Sequence, residues 1–78
     1  MITQAQCRAG RALLDWSQQD LAKAAHLGLS TIRDFEKGRR VPTHNNLRGI
    51  KVALEEGGVI FGEINSSVAL NMIYKDIA

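Results

Sequence analysis

The feature that most constrains this chain is its punctuation. Helix starts and stops recur so often that no helix can run beyond a few turns. Thr3 with Gln6 three residues on reads as a capping box, and Ser17 with Asp20 repeats the pattern. Gly28 can serve as the N-cap of a third helix and Thr43 as that of a fourth. Gly38 after Lys37 reads as a left-handed stop, and Gly57-Gly58 closes the series. The expected product is a cluster of four short helices over residues 1–57, with a different segment over 58–78. In the first helix, Ala5, Ala9, Ala12 and Leu13 recur at helical spacing, and the helix should end near Leu14–Asp15. The second buries Leu21, Ala22, Ala24 and Ala25, small enough for close approach by another helix. The third turns Ile32 and Phe35 inward. The fourth carries Leu47, Ile50, Ala53 and Leu54.

The tail follows another period. Val59-Ile60-Phe61 is a short apolar run and Asn65-Ser66-Ser67 a turn signal. Val68, Leu70, Met72 and Tyr74 then alternate with Ala69, Asn71, Ile73 and Lys75, a period of two that favours a strand. A fifth helix is the alternative for residues 68–76. The fold class is therefore mostly α, four helices with a short C-terminal β-hairpin or β-strand extension.

Size limits what such a cluster can do. With 78 residues there is room for one compact unit, and its core is modest. A lone cysteine, Cys7, permits no internal disulfide, and Cys7, His26 and His44 lie too far apart in sequence for a structural zinc site. No metal and no cofactor is expected, and association between subunits is the expected supplement to stability. The start lacks a basic stretch followed by an apolar run, and no segment approaches bilayer length. A cytoplasmic protein with no membrane partner, and Cys7 reduced, is the expectation. Charge is uneven. Residues 1–48 hold eight Lys/Arg and four acids, a net of +4, against two and four, a net of −2, in residues 49–78. A basic first part fits a polyanion, or simply a solvated surface.

Two short helices joined by a tight turn, the second exposing polar side chains, have the makings of a helix-turn-helix. Its second helix packs one face on the first and offers the other to base edges. Ala25 and Ile32 stand where the two would cross. Ser17 and Gln18 open the first of the pair, where free backbone N–H groups and the helix dipole favour a phosphate oxygen.

The run Trp16-Ser17-Gln18-Gln19-Asp20-Leu21-Ala22, then Ser30-Thr31-Ile32-Arg33-Asp34-Phe35-Glu36-Lys37-Gly38, then Arg40-Val41-Pro42, resembles the Cro/C1-type (XRE family) helix-turn-helix over roughly residues 5–56. The resemblance implies an all-helical domain that binds double-stranded DNA as a homodimer, recognises a (pseudo)palindromic operator and regulates transcription, often of its own gene. Short members of the family include controller proteins of mobile elements and restriction systems, and antitoxins. By the same resemblance, Leu29, Ser30, Arg33 and Asp34 are the base-facing positions. Gln18, Thr31, Lys37, Arg39 and Arg40 are the positions near phosphate, and Arg11 with Glu36 forms a pair tying the first helix to the third. The turn departs from the family pattern, with His26 in place of the usual glycine and Gly28 in place of the usual serine cap.

Chemistry sharpens these assignments. The Arg33 guanidinium can bridge guanine O6 and N7. Leu29 either touches a thymine methyl or folds onto Ile32, and Asp34 either accepts from cytosine N4 or orients Arg33. Arg39 and Arg40 suit phosphate contacts, which add affinity and salt dependence without reading sequence. Trp16 and Cys7 are expected to pack, and His26 and His44 to be surface or capping residues. The tail is assigned to dimerisation, through Val59, Ile60, Phe61, Val68, Leu70, Met72 and Tyr74, because a lone two-stranded hairpin is marginal. The rival reading is an antitoxin-type module, in which the tail binds a partner toxin and DNA binding autoregulates the operon. A small enzyme is a remote third, since the chain has no nucleophile–base arrangement, no paired carboxylates suited to a pocket and no phosphate loop.

Overall fold

The computed structural model describes residues 1–63 and 71–75, with side chains through residue 62. The order is α1 (Gln4–Leu14), α2 (Gln18–Ala25), α3 (Leu29–Glu36), α4 (His44–Glu56), β1 (Val59–Glu63) and β2 (Asn71–Lys75). Both capping boxes form. Thr3 and Gln6 exchange side-chain and backbone hydrogen bonds of 3.1 and 2.9 Å, and Ser17 and Asp20 exchange two of 3.0 Å. Thr43 caps α4 through the Asn46 N–H at 3.2 Å. Gly28 opens α3 with extended backbone and no side-chain cap.

Three helix ends share one geometry. At α3, the Gly38 N–H donates to the Phe35 carbonyl and Arg39 N–H to that of Asp34, with Gly38 left-handed at φ +76°. This is the Schellman arrangement. At α1, Asp15 and Trp16 donate in the same way to Ala12 and Arg11. At α2, His26 and Leu27 donate to Lys23 and Ala22. The left-handed residue there is no glycine but Asp15 and His26, both at φ 57°. The missing glycine therefore leaves the turn geometry unchanged, and His26 carries the backbone strain of its position.

The core joins Cys7, Leu21, Ala22, Ile32, Phe35, Leu47, Ile50, Ala53, Leu54 and Val59, with Ile2 closing one side and Trp16 packed at the margin. The inward faces of α3 and α4 are those expected. Two other faces need correction. On α1, Ala5 and Ala12 are exposed, and the helix buries Cys7 and Gly10 instead. On α2, Ala24 is exposed and Ala25 half-buried. Alanine tolerates either environment, so its spacing marks a helix without fixing which side packs. Gly10 is needed for close approach: a Cβ there would come within 2.9 Å of Leu54 Cδ1.

The tail forms strands, not a fifth helix. β1 pairs antiparallel with β2, with Val59 opposite Lys75, Gly62 opposite Met72 and Glu63 opposite Asn71. β1 lies against α4, and β2 runs along α1. Val59 is 2% exposed and belongs to the subunit's own core. Val68 and Leu70 lie outside the described residues.

Candidate nucleic-acid interface

The surface that matters is built on α3. Ile32 is 0% and Phe35 3% exposed, which anchors one face of the helix against α2 and the core. The other face then points outward by helical geometry alone. Ser30, Arg33 and Lys37 are exposed along it, while Leu29, Thr31 and Asp34 are half-buried at its edges. The Schellman turn at Gly38 then leads the chain into Arg39 and Arg40, both exposed. Four cations (Arg33, Lys37, Arg39 and Arg40) thus stand exposed within eight residues. Among the described residues the only ion pair is elsewhere, between Arg11 and Glu36.

That pair holds α3 in place. Glu36 closes the helix and is 5% exposed. Arg11 grips its carboxylate with two parallel bonds, Nε to Oε2 and Nη2 to Oε1, each 2.7 Å. The remaining Arg11 nitrogen, Nη1, donates to the Trp16 carbonyl at 3.1 Å. Gln18 Nε2 donates to Oε1 and Cys7 Sγ to Oε2, both at 3.1 Å. Arg8 Nη1 donates to the Glu36 main-chain carbonyl at 2.6 Å. One residue of α3 is therefore held from α1 and α2 together. Burial pushes the Glu36 carboxyl up, but the hydrogen bonds from Arg11, Cys7 and Gln18 outweigh it and hold the group below its ordinary range. Burial, reinforced by the bond to Glu36, pushes the Cys7 thiol far up, so it stays protonated and donates.

The expected pair Arg11–Glu36 is present. Gln18, expected near phosphate, donates to the same Glu36 carboxylate. It also occupies the first turn of α2, where Ser17 takes only the third N–H of the helix, and the first two have no intrahelical acceptor. Leu29 and Asp34 are less open than Ser30 and Arg33. Ile60 and Phe61 are half-buried, and Lys51 Nζ sits 5.7 Å from the centre of the Phe61 ring. Met72 and Tyr74 lie on β2, at register positions opposite Gly62 and Ile60.

Arg8 and the donor role of Cys7 are absent from the sequence reading. The Arg8 acceptor is a backbone carbonyl, which leaves no residue-type signal. For Cys7 the only available signal was its position one turn before Arg11, on the same face. Among the described residues no group of His, Cys, Asp and Glu is arranged to hold a metal, and no helix is long and apolar enough to cross a membrane.

A comparison with curated proteins finds no matching relative. Residues 8–55 match the model of a helix-turn-helix family. They span the last two turns of α1, the α2–turn–α3 unit and all but the last residue of α4, and so take in most of the core, with Ile2, Cys7 and Val59 outside them. This chain belongs to the Cro/C1-type (XRE) helix-turn-helix family of DNA-binding regulators.

Proposed function

We propose that this protein is a sequence-specific transcriptional regulator that binds a (pseudo)palindromic operator as a homodimer and controls its own promoter. The observation that carries the reading is the exposed edge Ser30–Arg33–Lys37, on a helix whose inner face is fixed by Ile32, Phe35 and Glu36. A rigid helix that offers a polar edge suits base readout in a major groove. Arg33 and Ser30 read base edges. Leu29, half-buried, meets a thymine methyl with the part that remains open, and Asp34 orients Arg33. Gln18, Thr31, Lys37, Arg39 and Arg40 meet phosphates on either side.

The dimer rests on the tail. β1 is half of a two-stranded sheet, and such a sheet gains from further strands. Val59 anchors it inside the subunit, so the contact with a second copy falls to other tail residues, Ile60, Met72 and Tyr74 among them. Two copies would set their recognition helices about 34 Å apart, one turn of DNA. The concentration of dimer is then the natural signal. Nothing specific favours a toxin partner.

DNase footprinting on the DNA upstream of the chain's own gene, titrated at fixed salt, tests the proposal. Two protected half-sites one turn apart are expected. Salt-sensitive binding with no protected sequence would overturn it.

A further inference from the structure

Glu36 is held in two ways, and only one of them is accounted for by the Arg11 pair. The second comes from adjacent residues of α1. Cys7 Sγ donates to Oε2 of the carboxylate at 3.1 Å. Arg8 Nη1 donates to the main-chain oxygen of the same residue at 2.6 Å. We propose that Cys7 and Arg8 are positioning residues for DNA binding, which fix the axial and rotational setting of α3 by holding Glu36 at its side chain and its backbone.

The argument begins with the acceptors. The Schellman turn that ends α3 uses the carbonyls of Asp34 and Phe35. The next carbonyl, that of Glu36, falls outside that turn, at the negative end of the helix dipole. Arg8 brings a cation and a donor to it. The basic segment Lys37–Arg40 departs from this same peptide, so its direction is set where Arg8 binds. The carboxylate needs a further donor too. Arg11 supplies two hydrogen bonds and Gln18 one, and in a site 5% exposed the remaining lone pair has no access to water. Cys7, 0% exposed, faces it with a proton it does not give up. A buried acceptor left without a donor would draw the side chain, and the helix with it, toward another pose. Recognition by hydrogen bonds to base edges depends on such placement, whereas phosphate attraction depends on it far less.

The inference rests on the reading of α3 as the DNA-contacting helix, and the test separates the two. Amide hydrogen exchange without DNA is measured for Arg8→Ala, Arg8→Lys, Cys7→Val and Cys7→Ser. Binding to the best duplex selected by the parent from a random pool is then compared with binding to the unselected pool. In Arg8→Ala and Cys7→Val, exchange at the Lys37 and Gly38 amides is expected to quicken while that of α4 holds. The selected-to-unselected affinity ratio should fall about tenfold, the 1.4 kcal/mol equivalent of one hydrogen bond. Arg8→Lys and Cys7→Ser, which keep a donor, should recover most of both. Unchanged exchange at Lys37 and Gly38 overturns the proposal, as does an equal loss of affinity for both pools. If the parent selects no sequence, the DNA reading fails, and the exchange measurement alone decides the positioning role.

Discussion

The helical head and the β-hairpin are attached to the same scaffold by different physics. The head shares the apolar core through Ile32 and Phe35 and is tied in addition by directional polar bonds that converge on one carboxylate, with Arg11 at 2.7 Å and Gln18 and Cys7 at 3.1 Å. The hairpin is attached through apolar burial, with Val59 in the core and Phe61 packed at its edge. Directional bonds fix a pose; apolar contact fixes a position but tolerates some rotation. The difference suits the roles proposed for the two parts. A helix that reads base edges needs its setting defined closely, whereas an anchor for further strands needs only to stay in place.

The comparison breaks most visibly at Glu36. Replacing it with alanine strands the Arg11 guanidinium in a largely enclosed site, at a cost of about 3–5 kcal/mol. That is a large part of the stability of a domain of this size, about 5–15 kcal/mol. Urea denaturation checks it: a midpoint near the parent's would show that the head does not depend on the hub. The parallel change in the hairpin, Val59→Ala, should cost about 2–3 kcal/mol through lost burial and a residual cavity. Its effect on preference among duplexes should be nil, because no polar bond to α3 is touched. A change of preference in Val59→Ala would erase the proposed difference between the two parts.

Acid sharpens the same contrast. The folded-state pKa of Glu36 is lowered, so the stability it contributes is fully present above the ordinary carboxylate value, about pH 4.3, and is lost as pH falls through the lowered folded value. Urea midpoints taken as pH falls through that window should drop, and Glu36→Gln should flatten this limb. The same drop in both proteins would assign it to other carboxylates. The smallest expected effect lies at the turn. His26→Gly relieves a left-handed residue at φ 57° and should raise stability by up to about 1 kcal/mol, seen as a higher Tm with DNA affinity unchanged.

What the sequence made legible was mostly local. Thr3 with Gln6, Ser17 with Asp20, and Gly38 announce helix ends through bonds that span three to five residues, so a reader can see both partners at once. The exposed edge of α3 follows from Ile32 and Phe35 once the helix is granted. What stayed hidden depends on tertiary approach. Ala5 and Ala12 repeat at helical spacing yet face solvent, while Gly10, which shows no hydrophobic signal, lies where α1 meets Leu54. Alternation in the tail did indicate a strand, and Asn71–Lys75 is one. The inward course of Val59 depends on how β1 packs against α4, a tertiary contact that alternation along the tail does not record.

The central claim is that one edge of α3 reads bases while the segment after it holds phosphates. Its most direct test compares Arg33→Ala with the double variant Arg39→Ala/Arg40→Ala, by selection from a random duplex pool and by binding over a range of salt. Arg33→Ala should relax preference at one position of the selected site, at a cost of about 1–3 kcal/mol. The double variant should keep the preference, weaken binding to every duplex, and reduce the steepness of the log–log salt plot by about 1.8. Identical behaviour of the two proteins in both measurements would contradict the account.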